Sequence, residues 1–435
     1  MIRRANLITL SILLVVFMAS TVLADDNWDS KPMTLTVLTA TSIEPSTRDV
    51  EQEITEEFMK LHPNIKVQID GIPSNDQHTK VVTLGTVGQL PDVVQDHVDW
   101  IPSNVEGGFF ADLSKFADKQ FFDQYLPGSM ELCSYKGKIY ALQVALVNTG
   151  LLYRKDLFEA AGVKEPTNWE EFLAVCQKLT KDTNKDGKID QWGFGMMGKS
   201  DRSSWLSFTD MAYPWGFEVI QPTPNGGWKA VADKPENIQA IKYYAELYNE
   251  YNVTPPGTLE NSYMEIVRAL ALGQCAIMAT GSHSIGNATA VNPEVGSKLA
   301  SAPFPKGKTI TSRPFAVAWS ISAKTSPEKQ KAAFEYIKFF TNEQNQIKWS
   351  KATLWVPTMK SALSAPHLKD PVFSGFVRAT NYLYVPPITT LQAKIEDYGI
   401  NALQKALLKK EPYAQIMKTF NEQLEKAIKE AGLDK

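Results

Sequence analysis

Residues 33–69 read MTLTVLTATSIEPSTRDVEQEITEEFMKLHPNIKVQI, and three local patterns follow one another within them. Met33 to Thr39 alternates Leu and Val with Thr, the period-two pattern of a strand. Val50, Ile54, Phe58 and Leu61 then recur at helical spacing over 48–62, and Pro63 closes that helix. Ile65 to Ile69 returns to a strand. A strand, a helix and a strand in this order open an α/β domain. Leu90-Pro91-Asp92-Val93-Val94 reads as a third, short buried strand. It leads into a loop rich in polar and aromatic residues: Gln95, Asp96, His97, Asp99 and Trp100. Open α/β sheets bind ligands at the carboxyl ends of their strands, so this loop is well placed to touch one.

Farther along, Gly137 to Tyr153 holds two strand-like runs around Asn148-Thr149-Gly150, and a helix starts near Lys155. Thr167 is expected to cap the next helix, with Glu170 three residues on completing a capping box. The stretch 160–312 has strands, helices and aromatic loops enough for a second lobe. Residues 314–323 resume a strand (Phe315, Val317, Trp319, Ile321), and the tail from about 390 is amphipathic helix. No internal repeat or low-complexity linker separates the parts, so the chain is expected to cross between lobes several times.

The 435 residues are too many for one hydrophobic core. Formal net charge is −3, and no concentrated basic patch points to a nucleic-acid partner. The first 24 residues have the layout of a secretory signal: Arg3-Arg4, an apolar run from Ala5 to Ala19, and Val22-Leu23-Ala24 as a cleavage site. The run is short for a membrane span. Cleavage removes Arg3 and Arg4, leaving −3 − 2 = −5. No Cys follows the run, against a lipid anchor. Cys133, Cys176 and Cys275 make an odd count, so at least one thiol is free, and apolar neighbours mark all three as small buried hydrophobes. Asn252 and Asn287 head glycan-acceptor triplets, which are common by chance.

Ile139-Tyr140-Ala141-Leu142, then Leu151-Leu152-Tyr153-Arg154-Lys155-Asp156-Leu157-Phe158, Ala161-Gly162 and Pro166-Thr167-Asn168-Trp169-Glu170-Glu171-Phe172 follow in order. Together with Pro91-Asp92-Val93, Gly107 to Leu113, Ala276-Ile277-Met278 with Gly281, and the 327–340 helix ahead of Asn342-Glu343, they resemble bacterial extracellular solute-binding proteins of the maltose-binding-like type, carbohydrate-capturing components of ABC importers. Gln143 stands where that family often has Pro, and His283 where it usually has a ligand-stacking Trp. The resemblance implies a two-lobed periplasmic-binding-protein-like α/β fold (type II), with lobes joined by hinge crossings that close on a solute. It assigns 33–147 plus 316–376 to the first lobe and 148–315 plus 377–435 to the second. It further implies a periplasmic or secreted monomer that delivers a mono- or oligosaccharide to ABC permease subunits.

Sugars need aromatic platforms for ring faces and carboxylates or amides for hydroxyls. The candidate ligand residues are Thr41 and Glu44 beyond the first strand, and Asp96, Asp99 and Trp100 in the loop after the third. Trp205 and His283 fall at positions where the family presents a stacking aromatic, Trp319 faces a strand exit after the second hinge crossing, and Tyr384 lies in the last crossing. An anionic cargo, such as glycerol phosphate or an acidic sugar, calls instead for Arg202, Arg313 or Arg378 turned into the cleft. The segment 182–190 (DTNKDGKID) follows a calcium-loop pattern, so Asp182, Asn184, Asp186, Lys188 (through its carbonyl) and Asp190 are candidate ligands of a structural calcium. Its twelfth position is Gly193, not the usual Glu. No H-E-x-x-H pair, G-x-S-x-G elbow or phosphate loop supports a catalytic role, and a secreted carbohydrate-active enzyme stands as the rival class.

Overall fold

The computed structural model describes residues 28–44, 47–315, 317–387 and 389–435. The expected secretory signal, 1–24, lies outside them. The opening strand–helix–strand forms as read: Met33–Thr39 pairs in parallel with Ile65–Gly71, and helix Arg48–Leu61 connects them. That helix buries Val50, Ile54, Thr55 and Phe58 on one stripe, and Thr55 shares a hydrogen bond with the Tyr336 hydroxyl of helix Pro327–Phe340 (2.9 Å). Glu51 is buried on the same stripe.

Two sheets organise the molecule, one per lobe. The first runs Ile65–Gly71, Met33–Thr39, Val93–His97, Val317–Ile321, Ala141–Leu142, and the second Leu299–Ala302, Ala145–Arg154, Cys275–Gly281, Trp192–Gly195. Each carries its own apolar core. Phe58, Trp319, Tyr336, Phe340 and Trp349 fill the first, and Phe172, Phe194, Phe208, Tyr244 and Phe420 the second.

Three local differences from the sequence reading follow. The third strand starts at Val93 and runs on through Gln95, Asp96 and His97, because Val317–Ile321 pairs with it along that whole length, while Met33–Thr39 reaches only Val93 and Val94. The Thr36 amide and hydroxyl both bond the Asp92 carboxylate at its entrance (2.9 and 3.0 Å). Asn148-Thr149-Gly150 do not break the next strand: Ala145–Arg154 is continuous and wholly buried. Asn148 donates to the Phe376 carbonyl (2.6 Å), Thr149 accepts from the Arg313 amide (3.0 Å), and Gly150 lies against the Ala302 carbonyl, where a Cβ would come within 2.6 Å. The cap of helix Trp169–Leu179 is Asn168, whose side chain takes the Glu171 amide (2.9 Å). Thr167 instead holds the Glu171 carboxylate (2.8 Å), one position off the expected box.

Ala145–Arg154 is also a crossing. Its first half pairs with Val356–Pro357 and Pro314–Phe315, its second half with the second sheet. Strand Pro314–Phe315 pairs with this crossing strand and Val317–Ile321 with the first sheet, and later in the chain comes helix Pro371–Ala379. That helix lies on strand Leu299–Ala302 of the second sheet. The three cysteines are free and buried, and burial pushes the Cys133 thiol up. Among the described residues no helix is long and apolar enough to cross a membrane.

Candidate functional site

A groove of about 640 Å³ opens between the two lobes, well within the size of small-molecule sites. Its first-lobe wall is the turn after strand Met33–Thr39, where Ala40, Thr41 and Glu44 face the groove, together with His97, Val317 and Trp355. The turn is held from below: the Gln95 side-chain carbonyl accepts the Ala40 and Thr41 amides (3.2 and 3.3 Å), and the Thr41 carbonyl accepts the Thr47 hydroxyl (2.6 Å). Burial raises the Glu44 carboxyl above its usual range. The second-lobe wall is helix His283–Val291 with His283 and Asn287, and Val147 and Phe315 of two crossings lie between the walls.

His283 stands where the helix leaves strand Cys275–Gly281. Its ring stacks on Tyr263 (5.3 Å between centroids) and meets the edge of Phe315 (5.8 Å). Burial, with the nearby Arg313 charge, lowers its pKa to about 4, so the imidazole is neutral. Asn287 donates to the Tyr263 hydroxyl (2.9 Å), which is also bonded to Ser284 (2.8 Å). This wall offers flat apolar faces edged with uncharged donors and acceptors.

Beyond His283 and Phe315 the groove continues into a pocket of about 190 Å³, and past Leu206 and Arg313 into a tighter one of about 60 Å³. Tyr213 and Tyr384 pack together in the last (4.9 Å), with Trp205, Asp99 and Arg202 around them. Arg313 divides the two. Its guanidinium donates two bonds to the Asp210 carboxylate (2.6 and 3.1 Å), with both side chains under a tenth exposed, and lies 4.8 Å over the Phe315 ring. Burial pushes the Asp210 carboxyl up and Arg313 opposes it. Arg202 is likewise engaged, to Glu396 (2.9 Å) and to Asp99 of the other lobe (3.7 Å). Arg378 is bound to Glu165 (2.8 Å) and lines none of these cavities. The lining of the three cavities thus holds five carboxylates, Glu44, Asp99, Asp210, Glu218 and Glu396, and two guanidinium groups, Arg202 and Arg313, each of which already has a carboxylate.

Of the candidates read from sequence, Thr41, Glu44 and His283 meet in the main groove, and Asp99, Trp205 and Tyr384 line the tight pocket. Three are placed otherwise. Trp319 is fully buried in the first core against Phe340 (4.9 Å). Its strand is antiparallel to Val93–His97, so the groove lies at its start: Val317 is opposite His97, and Trp319 is two residues deeper, opposite Gln95. Asp96 is buried, accepting from Asn104 (2.9 Å) and the His97 amide (2.8 Å) and paired with His78 (3.1 Å). Trp100 stacks on His78 (3.9 Å) and not on a cavity. Trp205 contributes only an edge to its pocket, since it is 3% exposed and packs against Phe208, Phe217 and Phe420.

Phe315, Tyr263, Asn287, Tyr213 and Trp355 were not picked out. For Phe315 the signal was present: it alternates with Val317 and Trp319, and strand direction alone decides which of the three meets solute. The 182–190 loop is a tight turn in which Asp182 accepts the Lys185, Asp186 and Gly187 amides (2.6, 3.3 and 2.7 Å) and Asp186 the Lys188 amide (2.9 Å). Asn184 accepts the Asp186 amide (2.9 Å), and Asp190 binds the Thr183 amide and hydroxyl (both 2.8 Å). Among the described residues no group of three or more His, Cys, Asp or Glu could hold a metal ion.

Comparison with known proteins agrees with this architecture. The family model for bacterial extracellular solute-binding proteins matches residues 53–373. A maltotriose-binding protein of Pyrococcus abyssi is 24% identical over 392 residues, 88% of this chain and 80% of that protein. A solute-binding protein of Thermotoga lettingae, solved with α-D-tagatose, superposes with a TM-score of 0.76 at 21% identity, covering 91% of this chain and 99% of that one. The cyclic α-maltosyl-1,6-maltose-binding protein of Arthrobacter globiformis gives 0.77 at 19%, covering 92% and 100%.

Proposed function

Because the chain belongs to the bacterial extracellular solute-binding protein family, we propose that it captures a mono- or oligosaccharide between its lobes and delivers it to the membrane permease of an ABC importer. It binds its cargo and hands it on without turning it over. In this reading the first 24 residues direct export and are removed, and the mature chain works outside the cytoplasm as a monomer.

The observation that carries the choice of cargo is the state of the arginines. A phosphate or carboxylate solute needs an available cation. Here Arg313 and Arg202 are each neutralised by carboxylates within the cleft. What remains is a row of aromatic and uncharged groups (Phe315, Tyr263, neutral His283, Asn287, Thr41) beside carboxylates that accept hydroxyl protons. That lining suits the ring faces and hydroxyl rim of a sugar. The names of the maltotriose- and maltosylmaltose-binding relatives support the same class.

The test is a thermal-shift screen of residues 25–435 against neutral sugars, oligosaccharides, polyols, uronates and glycerol phosphates. A solute at 100 times its dissociation constant stabilises the fold by about 2.7 kcal/mol, a readily measured rise in midpoint. A shift with neutral saccharides and none with their anionic counterparts is expected. The reverse order of preference, or release of product from any glycan, refutes the assignment.

A further inference from the structure

The turn that forms the first-lobe wall of the groove rests on a carboxylate that the groove itself does not expose. Glu51 is fully buried on helix Arg48–Leu61, on the stripe otherwise given to Val50, Ile54 and Phe58. One of its oxygens, Oε2, receives the Thr41 hydroxyl at 2.5 Å and the Thr39 hydroxyl at 3.3 Å. The other, Oε1, has no hydrogen-bond partner among the described residues. Thr41 in turn accepts the Gln95 amide at 2.7 Å, and it is Thr41 that lines the groove. Nothing about packing calls for an acid here. An apolar side chain would avoid both the desolvation and the orphaned oxygen.

We propose that Glu51 is a positioning residue for solute binding, setting the direction of the hydrogen-bond chain that holds the Thr41 turn against the groove, and that capture of the solute takes up a proton at this cluster. With Glu51 ionised, the single Thr41 hydroxyl proton lies on Oε2. The Thr41 oxygen then accepts from the Gln95 amide (2.7 Å) and from the Thr39 hydroxyl (2.9 Å), so the chain of bonds beneath the turn runs toward Glu51. With Glu51 protonated, the carboxylic O–H donates to Thr41, Thr41 donates to Thr39 and Thr39 to the Gln95 carbonyl (3.1 Å), so the chain reverses. Both forms are accessible near neutral pH, because burial raises the Glu51 carboxyl to about 7 against the opposing bonds from Thr41 and Thr39, with Glu44 adding repulsion.

The groups facing Glu51 are Glu44 from the turn, Tyr336 from helix Pro327–Phe340, Thr39 and Thr41 from the first strand, and Gln95 from the third. Glu51 makes no salt bridge among the described residues. His97 is the other titratable group on this wall, and burial lowers its pKa, against Asp99 and Asp96. A solute covering Thr41 and Glu44 displaces water from above the cluster and so favours its neutral form. By linkage a proton is then taken up and affinity rises as pH falls, up to about tenfold for each unit by which the bound-state pKa exceeds the free one.

This inference rests on the saccharide reading, and one calorimetric experiment separates the two. Maltotriose, or the sugar that the thermal-shift screen returns, is titrated into the mature protein at pH 7 in two buffers of different ionisation enthalpy, and its affinity is measured from pH 6 to 8. The wild type is expected to take up a fraction of a proton per solute and to bind several-fold more tightly at pH 6 than at pH 8. Glu51→Gln, which keeps the shape and offers a permanent donor, is expected to bind within tenfold of the wild type with no uptake and a flat profile. Thr41→Val is expected to lose the uptake too, and His97→Asn to retain it. No heat from any sugar overturns the saccharide reading. Binding without proton uptake by the wild type, a measurement that depends on no variant, overturns the role of Glu51. So does unchanged uptake in Glu51→Gln.

Discussion

Replacing Asp210 by Asn tests both the stability and the selectivity assigned to the cleft. The Asp210 and Arg313 side chains are 6% and 9% exposed and are joined by two hydrogen bonds. Removing the anion leaves a guanidinium that cannot shed its proton in a site with little water. Breaking a buried pair in this way costs about 3–5 kcal/mol. The Phe315 ring lies under Arg313 in both proteins, so its cation–π attraction cancels and the full loss of about 3–5 kcal/mol is expected. The double variant Asp210→Leu/Arg313→Met removes both charges and fills similar space. It is expected to be more stable than Asp210→Asn, because apolar pairs often match buried ion pairs. Chemical denaturation followed by tryptophan fluorescence measures each loss. The same Asp210→Asn protein carries an unneutralised cation in the cleft, and its preference for a uronate over the matching neutral sugar is expected to rise about tenfold, or about 1.4 kcal/mol. Two results refute the reasoning: a single variant within about 1 kcal/mol of wild type, or a double variant that loses the sum of the two single losses.

Four further outcomes follow from the geometry. Trp319→Phe is expected to lower the unfolding midpoint while leaving solute affinity unchanged in calorimetry, since the ring packs only against the first core. His283 is expected to stay neutral to about pH 4 in an NMR titration. Its folded pKa lies below its ordinary value, so this contribution to stability is whole above about pH 6.5, is lost as pH falls toward 4, and is absent in His283→Asn. Gly375→Ala is expected to cost at least about 3 kcal/mol in denaturation, because its Cβ would come within 2.1 Å of the Ser301 carbonyl carbon, and backbone cannot yield as a side chain does. Asp182→Ala is expected to cost about 1 kcal/mol by freeing three amides, which chemical denaturation measures.

Elements were legible where local pattern sufficed, and site residues only where chain direction was also known. The 33–69 stretch gave its strand, helix and strand because burial repeats at the period of each element. Thr41 and Glu44 were legible as groove residues because they follow the carboxyl end of a parallel strand. The same rule misassigned Trp319, since an antiparallel strand presents its start to the groove, and antiparallel pairing is a long-range fact. Asp96 and Trp100 were read as ligand residues and are placed elsewhere for a related reason. Their partners, Asn104 and His78, lie on helices that no local pattern places beside them. The spent charge of Arg313 could not be read either, as Asp210 is 103 residues away.

The crossings show why the arginine matters beyond charge. Thr149, in the middle of the crossing strand, accepts the Arg313 amide (3.0 Å) on its hydroxyl and the Ser312 hydroxyl on its carbonyl (2.6 Å), while its neighbour Asn148 holds the Phe376 carbonyl. Three segments of the chain are therefore tied at one point. Arg313 stands there with its backbone on the pivot and its side chain dividing the cleft. A solute that contacts Phe315 or displaces the guanidinium acts on the hinge without an intermediary. A lobe that rotates moves the ion pair with it, because Asp210 is anchored on helix Arg202–Ala212 of the second lobe. In the saccharide reading proposed above, the internal neutralisation of Arg313 keeps solute charge out of lobe closure and leaves it to ring faces and hydroxyls.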